Sequence, residues 1–138
     1  MDRLPENLSL PLRHLREQQC KDITLRFNEA INCRDLDRLA SSMTEDHRFV
    51  DTAEQVVSGK TACVESWRGF FEQFPDYRNV FTTVAPRGDV VAVAGYSTCS
   101  FKPLDGPALW KATVRVDKVA EWRVYEDTDA QRQALGLA

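Results

Sequence analysis

Residues 47–59 read HRFVDTAEQVVSG and predict a short strand, a turn and a second short strand. Successive side chains of a strand point to opposite faces, so His47, Phe49 and Asp51 are predicted to share one face. A carboxylate that faces inward beside an aromatic ring at a strand end is a suitable proton-transfer base. This stretch therefore predicts a strand pair between two helical regions, and it carries a candidate base.

Helical periodicity precedes and follows the strand pair. Residues 12–32 predict a first helix, whose apolar face is formed by Ile23, Phe27, Ala30 and Ile31. Asp35 is the predicted N-cap of a second helix over 36–42, because its carboxylate can accept from free backbone N–H groups of the first turn. A third helix is predicted over 60–74, with an apolar stripe of Val64, Trp67, Phe70, Phe71 and Phe74.

The second half of the chain predicts four longer strands, at 79–85, 90–101, 109–116 and 119–125, with turns between them. Residues 129–135 predict a short helix or a frayed tail. Helices gathered on one side of an antiparallel sheet define an α+β fold. We expect a curved antiparallel sheet wrapped around about three N-terminal helices, in the shape of a cone with an internal pocket.

Length and composition predict one globular domain. The chain has 138 residues, of which 43% are hydrophobic and 28% charged. We expect the domain at residues 12–138 and an N-terminal arm at residues 1–11, where Pro5 and Pro11 interrupt the pattern. The net charge of −3 argues against a nucleic-acid partner.

The cysteines predict free thiols rather than a metal site. The four cysteines are scattered without a C-x-x-C pair, and the chain has two histidines: Cys20, Cys33, Cys63 and Cys99. Reduced thiols favour a cytoplasmic location. No apolar window approaches the ~18 residues of a membrane span, so no membrane partner is expected.

Several strings resemble the nuclear transport factor 2-like superfamily and, within it, the SnoaL-like group. They are FNEA at 27–30, RDLD at 34–37, TEDH at 44–47, FPD at 74–76 and VAEWRVYED at 119–127. The resemblance implies the same cone-shaped fold. It leaves function open, because the superfamily includes ketosteroid isomerases, limonene-epoxide hydrolases, polyketide cyclases, dehydratases and non-catalytic binding modules.

Comparison with the ketosteroid isomerases implies that Asp51 occupies the position of their proton-shuttling Asp. Their helix-1 Tyr corresponds to Phe27, and the protonated Asp of their oxyanion hole corresponds to Ala112. Neither residue can donate a hydrogen bond from its side chain. Each oxyanion donor is often worth about 3–4 kcal/mol of the barrier, so ordinary ketosteroid isomerisation is disfavoured.

Comparison with the limonene-epoxide hydrolases disfavours their reaction as well. Their terminal W-R-D-Y-F-D string is similar to WRVYED at 122–127, where Val124 replaces the acid. The family's Arg and second Asp fall near Ala94 and Tyr96. Its water-binding Tyr and Asn fall on Phe49 and Asp51. The Asp-Arg-Asp apparatus is therefore absent from this sequence.

Three residues are candidates for catalysis. Asp51 is either the base or a turn residue that caps Ala53 or Glu54. His47 either relays protons or lies in solvent at the strand mouth. Counting by twos places Tyr96 on one face with Ala92 and Ala94, where it is either a hydroxyl donor inside the hollow or part of the core.

Aromatic side chains are predicted to line the pocket, with simple core packing as the alternative. The candidates are Phe27, Phe49, Trp67, Phe71, Trp110 and Trp122. The predicted ligand is a small hydrophobic carbonyl compound, and no metal or organic cofactor is implied. We expect either a cofactor-free isomerase, cyclase or dehydratase, or a module that binds without turnover, or a dimerising accessory domain. Homodimerisation is expected through the outer face of the sheet.

Overall fold

The computed structural model describes residues 6–138 and the side chains from residue 10 onward. Four α-helices and six strands are formed by these residues, with a short 3₁₀ helix at Lys102–Leu104. The helices are α1 Glu6–Asn32, α2 Leu36–Ser41, α3 Lys60–Gln73 and α4 Asp129–Leu135. The strands are β1 Met43–Val50, β2 Val56–Ser58, β3 Arg78–Arg87, β4 Val90–Thr98, β5 Gly106–Arg115 and β6 Lys118–Tyr125.

The predicted α+β class is confirmed. The strand order is β2-β1-β6-β5-β4-β3 in one curved sheet that does not close. Neighbouring strands are antiparallel with one exception, the parallel pair β1 and β6. Sequence reasoning did not foresee that pair, because it joins the strand after α2 to the last strand of the chain.

The two largest differences from the predicted boundaries are at the starts of α1 and β1. Helix α1 begins at Glu6 and includes Pro11, so residues 6–11 of the predicted arm are helical. Residues 1–5 lie outside the described residues, and the division into an arm and a domain stays a prediction. Strand β1 begins at Met43 and includes residues 44–46, although their sequence, Thr-Glu-Asp, is typical of a turn. The register between β1 and β6 shifts between Met43 and Arg48. Because the pairing is irregular there, the strand accommodates residues that usually form a turn.

The curvature of the sheet has a local cause at β3. The pairing with β4 shifts between Phe81 and Thr83, which leaves Thr82 as an extra residue. Opposite this bulge lies Gly95, where an added Cβ would come within 2.0 Å of the carbonyl oxygen of Val80. The two backbones therefore approach more closely than a side chain allows, and the sheet bends there.

The core fills the space between the sheet and the helices. The predicted face of α1 is confirmed, because Ile23, Phe27, Ala30 and Ile31 are all buried. The predicted cap of α2 is also confirmed, since Asp35 Oδ1 accepts from the backbone N–H of Arg38 at 3.1 Å.

Candidate functional site

The concave side of the sheet, together with α3, encloses a cavity of about 410 Å³. Its walls are mostly apolar and come from Phe49, Val57, Trp67, Phe70, Leu104, Trp110, Trp122 and Val124. Polar groups are contributed by Asp51, Thr52, Cys63, Ser66 and Tyr77. The space suits an apolar molecule that carries a few polar groups.

Four of the six predicted lining residues lie on the cavity wall. Phe49 from β1 meets Trp67 from α3 edge to face, with their ring centroids 5.7 Å apart. Trp122 is opposite Phe49 on β6, and Trp110 lies on the neighbouring β5. The inward register predicted for the two strand tryptophans is therefore correct.

The other two predicted lining residues lie behind the wall or beside it. Phe27 is fully buried, and its ring packs 4.7 Å from that of Trp122. Phe71 is buried next to Trp67, with the guanidinium of Arg34 5.9 Å from its ring centroid. Neither is among the residues that line the cavity, so both support the site from the core.

Asp51 lies at the rim of the cavity, directly after β1. Its Oδ1 atom accepts from the backbone N–H groups of Ala53 and Gln55, each at 2.9 Å. The carboxylate is thus the centre of a tight turn, as the alternative interpretation expected. Both hydrogen bonds are made by Oδ1, and the residue also lines the cavity. A structural role in the turn is therefore compatible with a role as a base.

His47 is not at the strand mouth. It is fully buried, and its Nδ1 donates to the backbone carbonyl of Val119 at 2.6 Å. Burial lowers the pKa of His47, against the opposing effects of that carbonyl and of Glu121 and Asp46, so the ring is neutral at pH 7. Within the described residues, Nε2 has no hydrogen-bond partner and the ring packs against Phe27. The structure does not bring His47 to the cavity surface.

The placement expected for Tyr96 is wrong. The residue does share a face with Ala92 and Ala94, but that face is the convex one, because Val93 pairs with the cavity-lining Trp110 and points the other way. Tyr96 is 41% exposed. Local alternation identified the two faces of β4 but not which of them the helices cover.

The tyrosine that lines the cavity is Tyr77, which sequence reasoning missed. Tyr77 precedes β3, is 8% exposed, and its ring meets Phe70 edge to face at 4.8 Å. Burial raises the pKa of its hydroxyl, so the group is neutral. The sequence feature that could have indicated Tyr77 is the Phe74-Pro75-Asp76 turn, which follows α3 and immediately precedes this buried residue.

Tyr77 is the end of a buried chain of polar groups. Its hydroxyl lies 3.1 Å from Ser97 Oγ, which lies 2.8 Å from Asn79 Oδ1. The Nδ2 atom of Asn79 donates to Asn28 Oδ1 at 3.0 Å. The chain links α1, β3 and β4 beneath one side of the cavity.

Trp110 supplies an unused donor. The residue is fully buried, and its indole Nε1–H has no hydrogen-bond partner within residues 6–138. A buried N–H without a partner costs free energy, and this one lies beneath the cavity surface, because the atom has no accessible area. Cys63, by contrast, is satisfied by the carbonyl of Val57 at 3.3 Å, and burial raises the pKa of its thiol.

Comparison with known families identifies the chain. The family of SnoaL-like domains matches residues 24–131. The protein therefore belongs to the SnoaL-like domain family, as the sequence strings indicated. No curated protein sequence is similar enough to count as a relative.

Solved structures share the fold at low identity. A candidate SnoaL-like polyketide cyclase from Jannaschia sp. CCS1 is 23% identical, with a TM-score of 0.69 over 100% of this chain and 99% of that one. IdmH, a candidate polyketide cyclase from Streptomyces antibioticus, is 18% identical, with a TM-score of 0.66 over 86% and 99%. A candidate ketosteroid isomerase from Kribbella flavida is 16% identical, with a TM-score of 0.67 over 81% and 80%.

The described residues form neither a metal-binding cluster nor a membrane-spanning helix. No group of three or more His, Cys, Asp or Glu side chains could hold a metal ion among residues 6–138. No helix within that part of the chain is long and apolar enough to cross a membrane.

Proposed function

We propose that the cavity binds a small hydrophobic carbonyl compound and that Asp51 moves a proton on the carbon next to the carbonyl, without a cofactor. The observation that carries the proposal is the position of Asp51, a carboxylate on the rim of a mostly apolar cavity. A base beside an apolar site can remove a proton from a bound ketone when an electrophile stabilises the resulting enolate oxygen.

Trp110 is the proposed electrophile. Its unpartnered indole N–H lies beneath the cavity surface, so a shift of the ring on binding would bring it to the carbonyl oxygen, in place of the two donors that ketosteroid isomerases use. The aromatic walls would hold the carbon skeleton and exclude water. The class of reaction would be isomerisation, cyclisation or dehydration, which share the enolate step.

The test is proton exchange on bound ketones. Small cyclic ketones are incubated with the protein in D₂O, and loss of the signal of the protons next to the carbonyl is followed by NMR. We expect exchange above background with the natural chain and none with Asp51→Asn. Asp117→Asn, in the exposed turn between β5 and β6, is the matched control and should exchange like the natural chain. Equal exchange in both variants would overturn the assignment of Asp51.

A binding module without turnover is the second candidate. It is favoured by the two backbone N–H groups that bond to Asp51 Oδ1, since they give the carboxylate a structural role. Ketones that shift the NMR signals of the protein, yet exchange no protons, would support this function.

The expected homodimer and the cytoplasmic location remain part of the proposal. The outer face of β6 carries Glu121, Arg123 and Tyr125, and Glu121 pairs there with Arg48 at 3.0 Å. This mixed polarity suits a modest interface between two copies. Sedimentation equilibrium tests the dimer, and fractionation of the source cells tests the location.

A further inference from the structure

We infer that Tyr77 recognises a hydroxyl group of the ligand, with its phenolic oxygen accepting a hydrogen bond from the ligand O–H. The inference rests on the proposed function, because it names the class of molecule for the same cavity: an apolar carbonyl compound that also bears a hydroxyl group. Asp51 and Tyr77 lie on different sides of the cavity, since Asp51 follows β1 and the partner of Tyr77 lies on β4, three strands away in the sheet.

The direction of the hydrogen bonds follows from counting protons. Ser97 has one hydroxyl proton, and Asn79 Oδ1, 2.8 Å away, can only accept. Ser97 therefore donates to Asn79. The remaining contact of Ser97, at 3.1 Å, must be a bond that the Tyr77 hydroxyl donates to Ser97 Oγ. Tyr77 thus gives its own proton to Ser97, and we place a lone pair of its oxygen toward the cavity that its side chain lines, with the Asn79 side chain close by.

The orientation of the Asn79 side chain holds this direction in place. Its Nδ2 donates to Asn28 Oδ1, which leaves Oδ1 facing Ser97. The backbone of Asn79 is held by Asn32, whose side chain bonds to both the N–H and the carbonyl at 2.9 Å. Asn28, Asn79 and Ser97 are all buried, so water does not compete for these bonds.

The surroundings of Tyr77 make its oxygen selective. Phe70 lines the cavity next to it and offers no hydrogen bond. A ligand with an ether or a methyl group at this place would leave the phenolic oxygen without a donor. A ligand hydroxyl supplies the donor, so the cavity should favour it over groups of similar size.

The test uses three probes of similar shape: 2-naphthol, 2-methoxynaphthalene and 2-methylnaphthalene. The first can donate a hydrogen bond, the second can only accept and the third can do neither. Binding is measured by NMR titration, following the indole N–H signals of the tryptophans. We expect Tyr77→Phe to weaken 2-naphthol about five- to tenfold, the usual value of one hydrogen bond, and to change 2-methylnaphthalene by less than about twofold. Tyr96→Phe, which removes the same atom from the convex face, should change neither.

Ser97→Ala provides an independent variant in case Tyr77→Phe does not fold. Without Ser97 Oγ, the Tyr77 proton becomes available to the cavity, so 2-methoxynaphthalene should bind a few-fold more tightly than to the natural chain. Unchanged binding of 2-naphthol to Tyr77→Phe, or of the methyl ether to Ser97→Ala, would overturn the inference while the proposed function stands. If none of the probes binds the natural chain, the inference fails, and proton exchange on cyclic ketones decides the proposed function separately.

Discussion

The hydroxyl groups of Tyr77 and Ser97 lie 3.1 Å apart, and through them the cavity wall is joined to a buried polar chain that ends on α1. The same two residues thus serve the architecture and the candidate site. Ser97 connects β4 to the segment before β3, and Tyr77 presents the end of the chain to the cavity. Substitution of either residue should therefore change the stability of the protein even when no ligand is bound.

Ser97→Ala should lower the free energy of unfolding by about 1–3 kcal/mol. The substitution leaves both the Tyr77 hydroxyl and Asn79 Oδ1 without their recorded partner in a buried place. Tyr77→Phe should cost less, about 1 kcal/mol, because Ser97 keeps its bond to Asn79. Urea denaturation measures both. Tyr96→Phe is the control, with an expected change within about 0.5 kcal/mol; equal losses in all three variants would contradict the polar chain.

Protonation of His47 should destabilise the protein in mildly acidic solution. Burial lowers the pKa of His47 below its ordinary value of 6.5, so the unfolded chain takes up this proton at a higher pH than the folded protein. The free energy of unfolding should therefore fall as the pH drops below about 6.5.

Carboxylates act in a separate, more acidic range. The pKa of Asp46 is lowered by its bond to Arg115 and that of Asp127 by its bond to Arg132, so their contributions are lost only below their ordinary value of 3.8. His47→Asn keeps a donor for the Val119 carbonyl and cannot titrate. Urea denaturation at pH 7 and pH 5 should show a smaller loss in this variant; an identical loss would assign the effect to other groups.

Gly95→Ala should destabilise the fold by about 1–3 kcal/mol, the usual cost of overpacking. The added methyl group would lie 2.0 Å from the Val80 carbonyl oxygen, which is backbone and cannot move without straightening the bend of β3. Gly69→Ala is the matched control. It lies in α3 with no atom within 4 Å of the added methyl group. That variant should gain up to about 1 kcal/mol from helix propensity. Thermal unfolding measures the stability of both variants. If Gly95→Ala is as stable as the natural chain, the close approach of the two backbones is not needed for the fold.

Asp51 should tolerate Asn better than Ala. Asn keeps an oxygen that can accept from Ala53 and Gln55, whereas Ala leaves both N–H groups without the side-chain acceptor of the turn. We expect Asp51→Ala to lower the free energy of unfolding by about 1–2 kcal/mol and Asp51→Asn by less than about 0.5 kcal/mol. Chemical denaturation measures the free energy of unfolding of both variants. Losses of equal size would show that the negative charge, and not the acceptor geometry, stabilises the turn.

Local sequence patterns were enough to predict the elements and the class of fold. The apolar spacing of α1, the Asp35 cap and the alternation in β5 and β6 all depend on residues close together in the chain, and the structure has them as expected. The inward positions of Trp110 and Trp122 were predicted in the same way.

Only the tertiary structure decided which tyrosine enters the cavity. Alternation placed Tyr96 correctly among its neighbours on β4, but the covered face of that strand depends on where α1 packs. The same holds for the parallel pairing of β1 with β6 and for the polar chain behind Tyr77, whose members Asn28 and Asn79 are far apart in sequence. Short-range periodicity defines the two faces of an element, whereas contacts between distant segments choose the face that is buried, and with it the chemistry of the site.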